Sequence, residues 1–484
     1  MTYDDCGALF RRQAYVGGTW IDADDGQTVT VTNPANGEVI GTVPALGAAE
    51  VERAIQSARD GFRLWRDKTA SQRAEALRRW HGLILDHRAV LARILTTEQG
   101  KPLAEAEAEV DATASFFLWF AEEARRVYGD IVPAPRQGQR ILVTKEPVGV
   151  CAAITPWNFP LSMIARKAAP AVAAGCSIII KPAEATPFSA LALAVLAEKA
   201  GIPAGVFNVV TGPARVVGGT LMDSPVVRKV TFTGSTPIGK LLMRQAADTV
   251  KRVSMELGGN APLIVFEDAD LDRAVTGIMQ SKFRNAGQTC ICSNRIFVQD
   301  GIYDAVVEKL VRAIEALRIG NGLEEGVTMG PMIDPRAVAD VDKLVQDAVT
   351  AGASVAKGGK RHPQGDSFYE PTLLTDVTPS MSVASEEIFG PVAPIIRFST
   401  EEEVIELAND TPFGLASYFY TQDLARAWRV SGALEYGMVG LNEVAISVVE
   451  APFGGFKESG VGREGSRHGI DEYVEIKYVN MGGL

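Results

Sequence analysis

Hydrophobic and polar positions change period several times along this chain. Residues 15–43 alternate and turn at Gly17-Gly18, Asp25-Gly26 and Asn36-Gly37, which predicts short antiparallel strands. From 48 to 67 the period becomes helical, with Val51, Ile55, Ala58 and Phe62 on one face. Two more helices are predicted over 71–98 and 103–128, stopped by Gly100 with Pro102 and by Gly129. A segment punctuated by Pro and Gly follows, IVPAPRQGQRILVTKEPVG, with one strand predicted at 140–145. From 148 to 257 apolar strands (GVCAAIT, CSIIIKP, VFNVVTG, RKVTFTG, RVSMEL) alternate with helical stretches. That alternation predicts a parallel sheet covered by helices. A second such series runs from 261 to 441, and a lone strand, YVEIKYV, closes the chain within 472–480. The fold class is α/β, with two parallel-sheet domains.

At 484 residues the chain exceeds what one core usually serves, so two or three domains are expected. A net charge of −11 argues against a nucleic-acid partner, because phosphate binding needs a basic face. The five cysteines (Cys6, Cys151, Cys176, Cys290, Cys292) are few and odd in number, which suits a reducing compartment. The N-terminus MTYDDCGALFRR has no apolar core of a secretory signal. The longest apolar region, 149–180, is broken by Asn158, Arg166 and Lys167. No membrane span and a cytoplasmic location are therefore expected.

The candidate chemistry centres on 283–294, FRNAGQTCICSN, which sets Cys290 among small residues and amides with no apolar wall. Polar, partly open surroundings favour the thiolate, the form that attacks. A free cysteine is more often a small buried hydrophobe; the other motifs turn the balance. Glu256 ends an apolar strand before Gly258-Gly259 and suits a general base if burial raises its pKa, although a turn-capping carboxylate would read the same. In Pro156-Trp157-Asn158-Phe159-Pro160, two prolines fix the backbone around an amide that can stabilise an oxyanion.

Three patterns mislead. GSTPIGK at 234–240 nearly matches a phosphate loop, but Leu241 stands where a hydroxyl residue must hold magnesium. Its strand, predicted at 226–232, still feeds a helix N-terminus suited to a pyrophosphate. GVGREG at 460–465 spells a dinucleotide fingerprint, yet no strand is predicted before it and only nineteen residues follow. The histidines His81, His87, His362 and His468 adjoin no motif, so no metal site is expected.

PWNFP, KPAEATP, FTGSTPIG, MELGGNAP, NAGQTC, EEIFGPV and APFGGFKESGVGREG, in this order, resemble the aldehyde dehydrogenase superfamily over nearly the whole chain. SKFRNAGQTCICSN and the closing GREGSRHGIDEYVEIKYV are most similar to the succinate-semialdehyde dehydrogenase branch. The resemblance implies Cys290 as nucleophile, Asn158 with the Cys290 N–H as oxyanion donors, Glu256 as base and Lys167 as its tuning and proton-relay partner. It implies Lys181 and Glu184 at the adenosine ribose, Ser235 at the pyrophosphate and Glu387 at the nicotinamide ribose. Pro156, Trp157, Gly234, Leu257 and Phe389 would line the cofactor cleft.

The implied reaction joins an aldehyde to Cys290, passes hydride to the nicotinamide and leaves a thioester for water to hydrolyse. Arg166, Arg284 and Ser447 stand at the implied substrate-carboxylate positions, where arginine donors can grip an anion. The implied substrate is succinate semialdehyde, with glutarate semialdehyde as a relative. A broad aliphatic or aromatic aldehyde dehydrogenase and a non-catalytic structural relative are the alternatives. NAD is the expected cofactor, because Glu184 would repel a 2′-phosphate, with NADP tolerated through Lys181. Cys292 is a candidate redox partner of Cys290. The implied architecture is a cofactor domain (1–123 and 148–257), a catalytic domain (258–448) and an oligomerisation arm (124–147 and 471–484) that builds a homodimer or homotetramer. Two features depart from the pattern: the phosphate contact comes from the 234–239 turn, and Val444 is bulkier than the glycine expected in the branch.

Overall fold

The computed structural model describes residues 7–483. Met1–Cys6 and Leu484 lie outside the described residues, and with them the start of the N-terminal segment read above, Cys6, and the outer ends of the expected cofactor domain and arm.

Two sheets organise the molecule. The first has eight strands, in the order Gly460–Val461, Arg252–Glu256, Val227–Thr233, Val150–Ile154, Ser177–Lys181, Phe207–Val209, Ala14–Val16, Thr19–Ile21. Its five middle strands run parallel. Both faces are covered. Cys151, Ala153, Ile178 and Ile180 enter one buried apolar cluster, and Val150, Ala152 and Ile179 enter the cluster on the other side. This is why these strands read as continuous apolar runs. The second sheet has seven strands, and the successive parallel strands Ala261–Val265 and Ser293–Gln299 lie inside it. It too divides its residues between two clusters, with Ile264 and Phe297 on one face and Leu263 and Ile296 on the other. A three-stranded antiparallel sheet stands apart: Val474–Gly482, Gln139–Pro147 and Asp130–Val132. It leaves Ile131, Ile476 and Tyr478 exposed.

Three elements differ from the sequence reading. The helix expected over 71–98 is two helices, Ala70–Asp86 and Arg88–Gln99. His87 leaves helical geometry (φ −109°, ψ 17°), and its ring Nδ1 donates to the Leu83 carbonyl. The helix from Leu103 ends at Glu123 and tightens into a 3₁₀ turn over Ala124–Arg126. A strand does begin the GVGREG segment: Gly460–Val461 pairs antiparallel with Met255–Glu256. A Cβ at Gly460 would meet the Met255 carbonyl oxygen at 2.1 Å, so this edge needs glycine. Among the described residues no helix is long and apolar enough to cross a membrane.

Candidate active site

The carboxyl ends of the first sheet's parallel strands carry most of the candidate residues, where ligands of open α/β sheets bind. Val150–Ile154 leads into Pro156–Pro160, and Val227–Thr233 into Gly234 and Ser235; Glu256 is the last residue of its strand. From Glu256 the chain crosses through Leu257–Asn260 into the second sheet, whose strand Ser293–Gln299 begins just after Cys290.

Two cavities meet at Cys290. One, of about 280 Å³, is lined by Phe116, Phe159, Arg166, Arg284, Ser447 and Phe453 together with Cys290. The other, of about 260 Å³, is lined by Pro156, Trp157, Asn158, Gly234, Ser235, Leu257, Glu387 and Phe389 as well as Cys290. Trp157 and Phe389 close the latter edge to face, with ring centroids 5.6 Å apart. Lys181 and Glu184 line neither cavity. The buried Lys181 Nζ lies 3.8 Å from Glu184 Oε1, which also accepts the Ala214 N–H at 2.9 Å.

The thiol differs from the sequence expectation. Cys290 is half-buried and packs against the apolar cluster that holds Phe283, Ala286 and Ile291. Burial, then the Glu387 and Glu256 carboxylates, push its pKa up to about 12. Burial and the two carboxylates outweigh the polar neighbours in sequence, so Cys290 rests as a thiol and would have to lose its proton to attack. Asn158 Nδ2 donates to the Gln288 carbonyl at 3.0 Å, which leaves its second hydrogen for a ligand. The Cys290 N–H has no acceptor among the described residues.

Burial and the nearby Glu464 carboxylate hold Glu256 well above the usual carboxylate range, against the pull of Lys167, Arg166 and Arg463. Glu256 Oε2 has no hydrogen-bond partner among the described residues. Lys167, fully buried, donates to Thr233 Oγ1 at 2.6 Å and forms an ion pair with Glu464. The sequence reading missed Glu464. Its signal was the acidic residue of GVGREG, set aside with that motif as a dinucleotide loop. The pairing of Gly460–Val461 with Met255–Glu256 is what carries it to the base.

Arg166 lies on the helix Ser162–Ala174. Its guanidinium sits 4.9 Å from the Phe116 ring centroid and 4.2 Å from that of Phe453, donates to Ser447 Oγ at 2.5 Å and lies 3.7 Å from Glu464. Arg284 is exposed at the cavity mouth, 5.2 Å from the Phe159 ring centroid, with no hydrogen bond or ion pair among the described residues. Val444 lines the adjoining outer cavity with Arg284. Cys292 is buried two residues from Cys290.

The second cavity fits a nicotinamide dinucleotide in its donor set. The helix Thr236–Ala247 begins there, and no Ser235 side-chain bond caps it, so its first N–H groups are open to a pyrophosphate. Glu387 accepts the Gly259 N–H at 3.0 Å and keeps a second oxygen for ribose hydroxyls. Burial pushes its pKa up to about 7, while the Gly259 N–H and Lys282 pull it down. Among the described residues no group of His, Cys, Asp or Glu side chains could hold a metal ion.

Comparison with known proteins places the chain in a family. A family model described as the aldehyde dehydrogenase family matches residues 20–479. A 3-sulfolactaldehyde dehydrogenase from Pseudomonas putida is 61% identical, over 99% of this chain and 98% of that protein. A glutarate-semialdehyde dehydrogenase from Pseudomonas aeruginosa is 60% identical, over 98% and 99%. An NADP⁺ succinate-semialdehyde dehydrogenase from Escherichia coli is 57% identical, over 98% of each. Among solved structures, a succinate-semialdehyde dehydrogenase from Burkholderia pseudomallei superimposes with a TM-score of 0.98 at 57% identity, over 99% of both chains.

Proposed function

The chain belongs to the aldehyde dehydrogenase family, whose members oxidise aldehydes with NAD(P), and on that premise we propose that its substrate is a short aldehyde with an anion at its far end. Succinate semialdehyde leads, followed by glutarate semialdehyde. The carrying observation is that Arg166, Arg284 and Ser447 line one small cavity with Cys290. Two guanidinium groups there suit a carboxylate or a sulfonate and give an uncharged chain nothing in return for their desolvation.

The Cys290 thiol passes its proton to the Glu256 carboxylate, and from there to solvent, as Sγ adds to the aldehyde carbon and Asn158 Nδ2 and the Cys290 N–H receive the oxyanion. A nicotinamide dinucleotide would supply the hydride acceptor, and Pro156, Trp157, Gly234, Ser235, Leu257, Glu387 and Phe389 would hold it in the second cavity. Oxidation leaves an acyl group on Cys290. Glu256, tuned by Lys167, then takes a proton from the water that releases the acid. NAD is the preferred cofactor in this reading, with Lys181 and Glu184 at the adenosine ribose.

The same reading assigns 1–123 and 148–257 to the cofactor and 258–448 to catalysis. The sheet of 124–147 and 471–484 joins copies in a dimer or tetramer, which would cover Ile131 and Ile476. A cytoplasmic setting suits the free thiols Cys151, Cys176, Cys290 and Cys292.

The test is a panel of initial rates with succinate semialdehyde, glutarate semialdehyde, 3-sulfolactaldehyde and butanal, for wild type, Arg166→Ala and Arg284→Ala. Each arginine replacement should lower kcat/KM on the anionic aldehydes by about 10²-fold and on butanal far less, as for a lost charge-assisted contact. Equal losses on all four would remove the anion-binding assignment.

A further inference from the structure

A buried ion pair, whose lysine lines neither cavity and whose glutamate lines the first, grips the turn that carries the oxyanion amide. Lys101, fully buried, donates from Nζ to Glu109 Oε2 at 2.6 Å and to the backbone carbonyl of Asn158 at 2.8 Å. The same ammonium lies 3.9 Å from the Phe159 ring centroid. The other oxygen of Glu109 accepts the N–H groups of Leu161 and Ser162, at 3.0 and 3.1 Å. These groups open the helix Ser162–Ala174, which carries Arg166 and Lys167. One pair thus fixes the Asn158 backbone, the Phe159 ring and the first turn of the next helix.

The nucleophile loop is tied to the same carbonyl. Asn285 Nδ2 donates to the Asn158 carbonyl at 3.1 Å, and Gln99 Nε2 donates to Asn285 Oδ1 at 2.9 Å. Asn285 and Ala286 are both left-handed (φ 51° and 53°), a conformation that non-glycine residues hold only where their surroundings enforce it. Two donors, Lys101 Nζ and Asn285 Nδ2, converge on one carbonyl and register the amide turn against the cysteine loop.

We propose that Lys101, held by Glu109, is a positioning residue for the oxyanion site: it sets the distance between the Asn158 amide and Cys290. Lys101 touches neither cavity and takes no proton in the reaction. A displacement near 1 Å at a reacting centre costs about 10²-fold in rate. The proposal rests on the reading of Asn158 as oxyanion donor, and its test separates the two.

The test is a double-mutant cycle on kcat/KM and on the rate of the first-turnover burst of reduced cofactor. The variants are Lys101→Met, Asn158→Ala and both together, in the full-length enzyme. Lys101→Met alone should slow the burst by about 30- to 100-fold with KM little changed. In the Asn158→Ala background it should add less than about 3-fold, because the group it positions is gone. Equal losses in both backgrounds would overturn the positioning role and leave Lys101 a general support of the fold. An unimpaired Asn158→Ala would instead refute the oxyanion reading. Should Lys101→Met not fold, Lys101→Met combined with Glu109→Gln, which removes both charges, runs the same cycle with the same two outcomes.

Discussion

Lys167 and Glu464 form a buried ion pair beside Glu256, and the two charges pull the Glu256 carboxyl in opposite directions. Glu464 raises its pKa and Lys167 lowers it. With Glu256 as the proposed base, which works only as carboxylate, hydrolysis of the acyl group should speed up as pH rises through the raised Glu256 pKa. Lys167→Met removes the cation and should move that rise to higher pH. Glu464→Gln removes the like charge and frees Lys167, so the rise should move to lower pH. The measurement is the decay rate of the acyl-enzyme after a single turnover, across pH. Unmoved profiles in both variants would detach the pair from the base.

Glycine at 259 leaves room for the Cys290 backbone. A Cβ there would stand 2.5 Å from the Cys290 carbonyl oxygen. Backbone cannot yield as a flexible side-chain end would, so Gly259→Ala should shift Cys290 and cost about 10²-fold in kcat. Dinucleotide affinity should change less than kcat. A variant with wild-type kcat would show that the loop absorbs the methyl group.

Cofactor choice is expected to turn on Glu184. Its Oε1 is shared by the Ala214 N–H and the Lys181 ammonium, which orients it toward the start of the helix Ala214–Asp223. Repulsion of a 2′-phosphate at 4 Å would reach roughly 4 kcal/mol at an effective dielectric of 20. The Glu184 side chain is 45% exposed, and solvent screens most of that. A preference for NAD of about tenfold is expected, with Glu184→Gln shifting kcat/KM toward NADP by a similar factor. A wild-type ratio favouring NADP tenfold or more would overturn the assignment.

The layers of this fold were legible because the strands are apolar on both faces and the turns between them carry glycine and proline. Asn158, Glu256 and Cys290 stood out as candidates, since each sits in a short run whose residue types serve one chemistry. What escaped the sequence depends on tertiary pairing. Nothing local to 460–465 shows that it lies along Met255–Glu256, so Glu464 was hidden. The thiol state of Cys290 follows from desolvation and from Glu387, almost a hundred residues away. Nothing local to Lys101 or Glu109 marks them as buried, although they are among the most buried charges of the described residues.

The cysteine pair offers the last prediction. A bond between Cys290 and Cys292 needs the loop to bend, because side chains two apart on a strand share a face but stand too far from one another. The loop does turn: the Cys292 N–H donates to the Thr289 carbonyl at 3.0 Å before the strand Ser293–Gln299 begins. Burial raises the pKa of Cys292, and the Lys282 ammonium opposes it. Lys282 is itself fully buried, and its ammonium lies beside the Cys292 thiol. A Cys292 thiolate would satisfy that charge. Peroxide should therefore convert the cavity-facing Cys290 to the sulfenic acid, releasing water. Attack by Cys292 would then form the disulfide and release a second water. Wild type should lose activity and regain it with dithiothreitol. Cys292→Ala should lose activity with much poorer recovery, because its sulfenic acid proceeds to the sulfinic acid. Lys282→Met should lie between the two, since its Cys292 carries less thiolate. Equal loss and equal recovery in wild type and Cys292→Ala would end the case for Cys292 as resolving thiol.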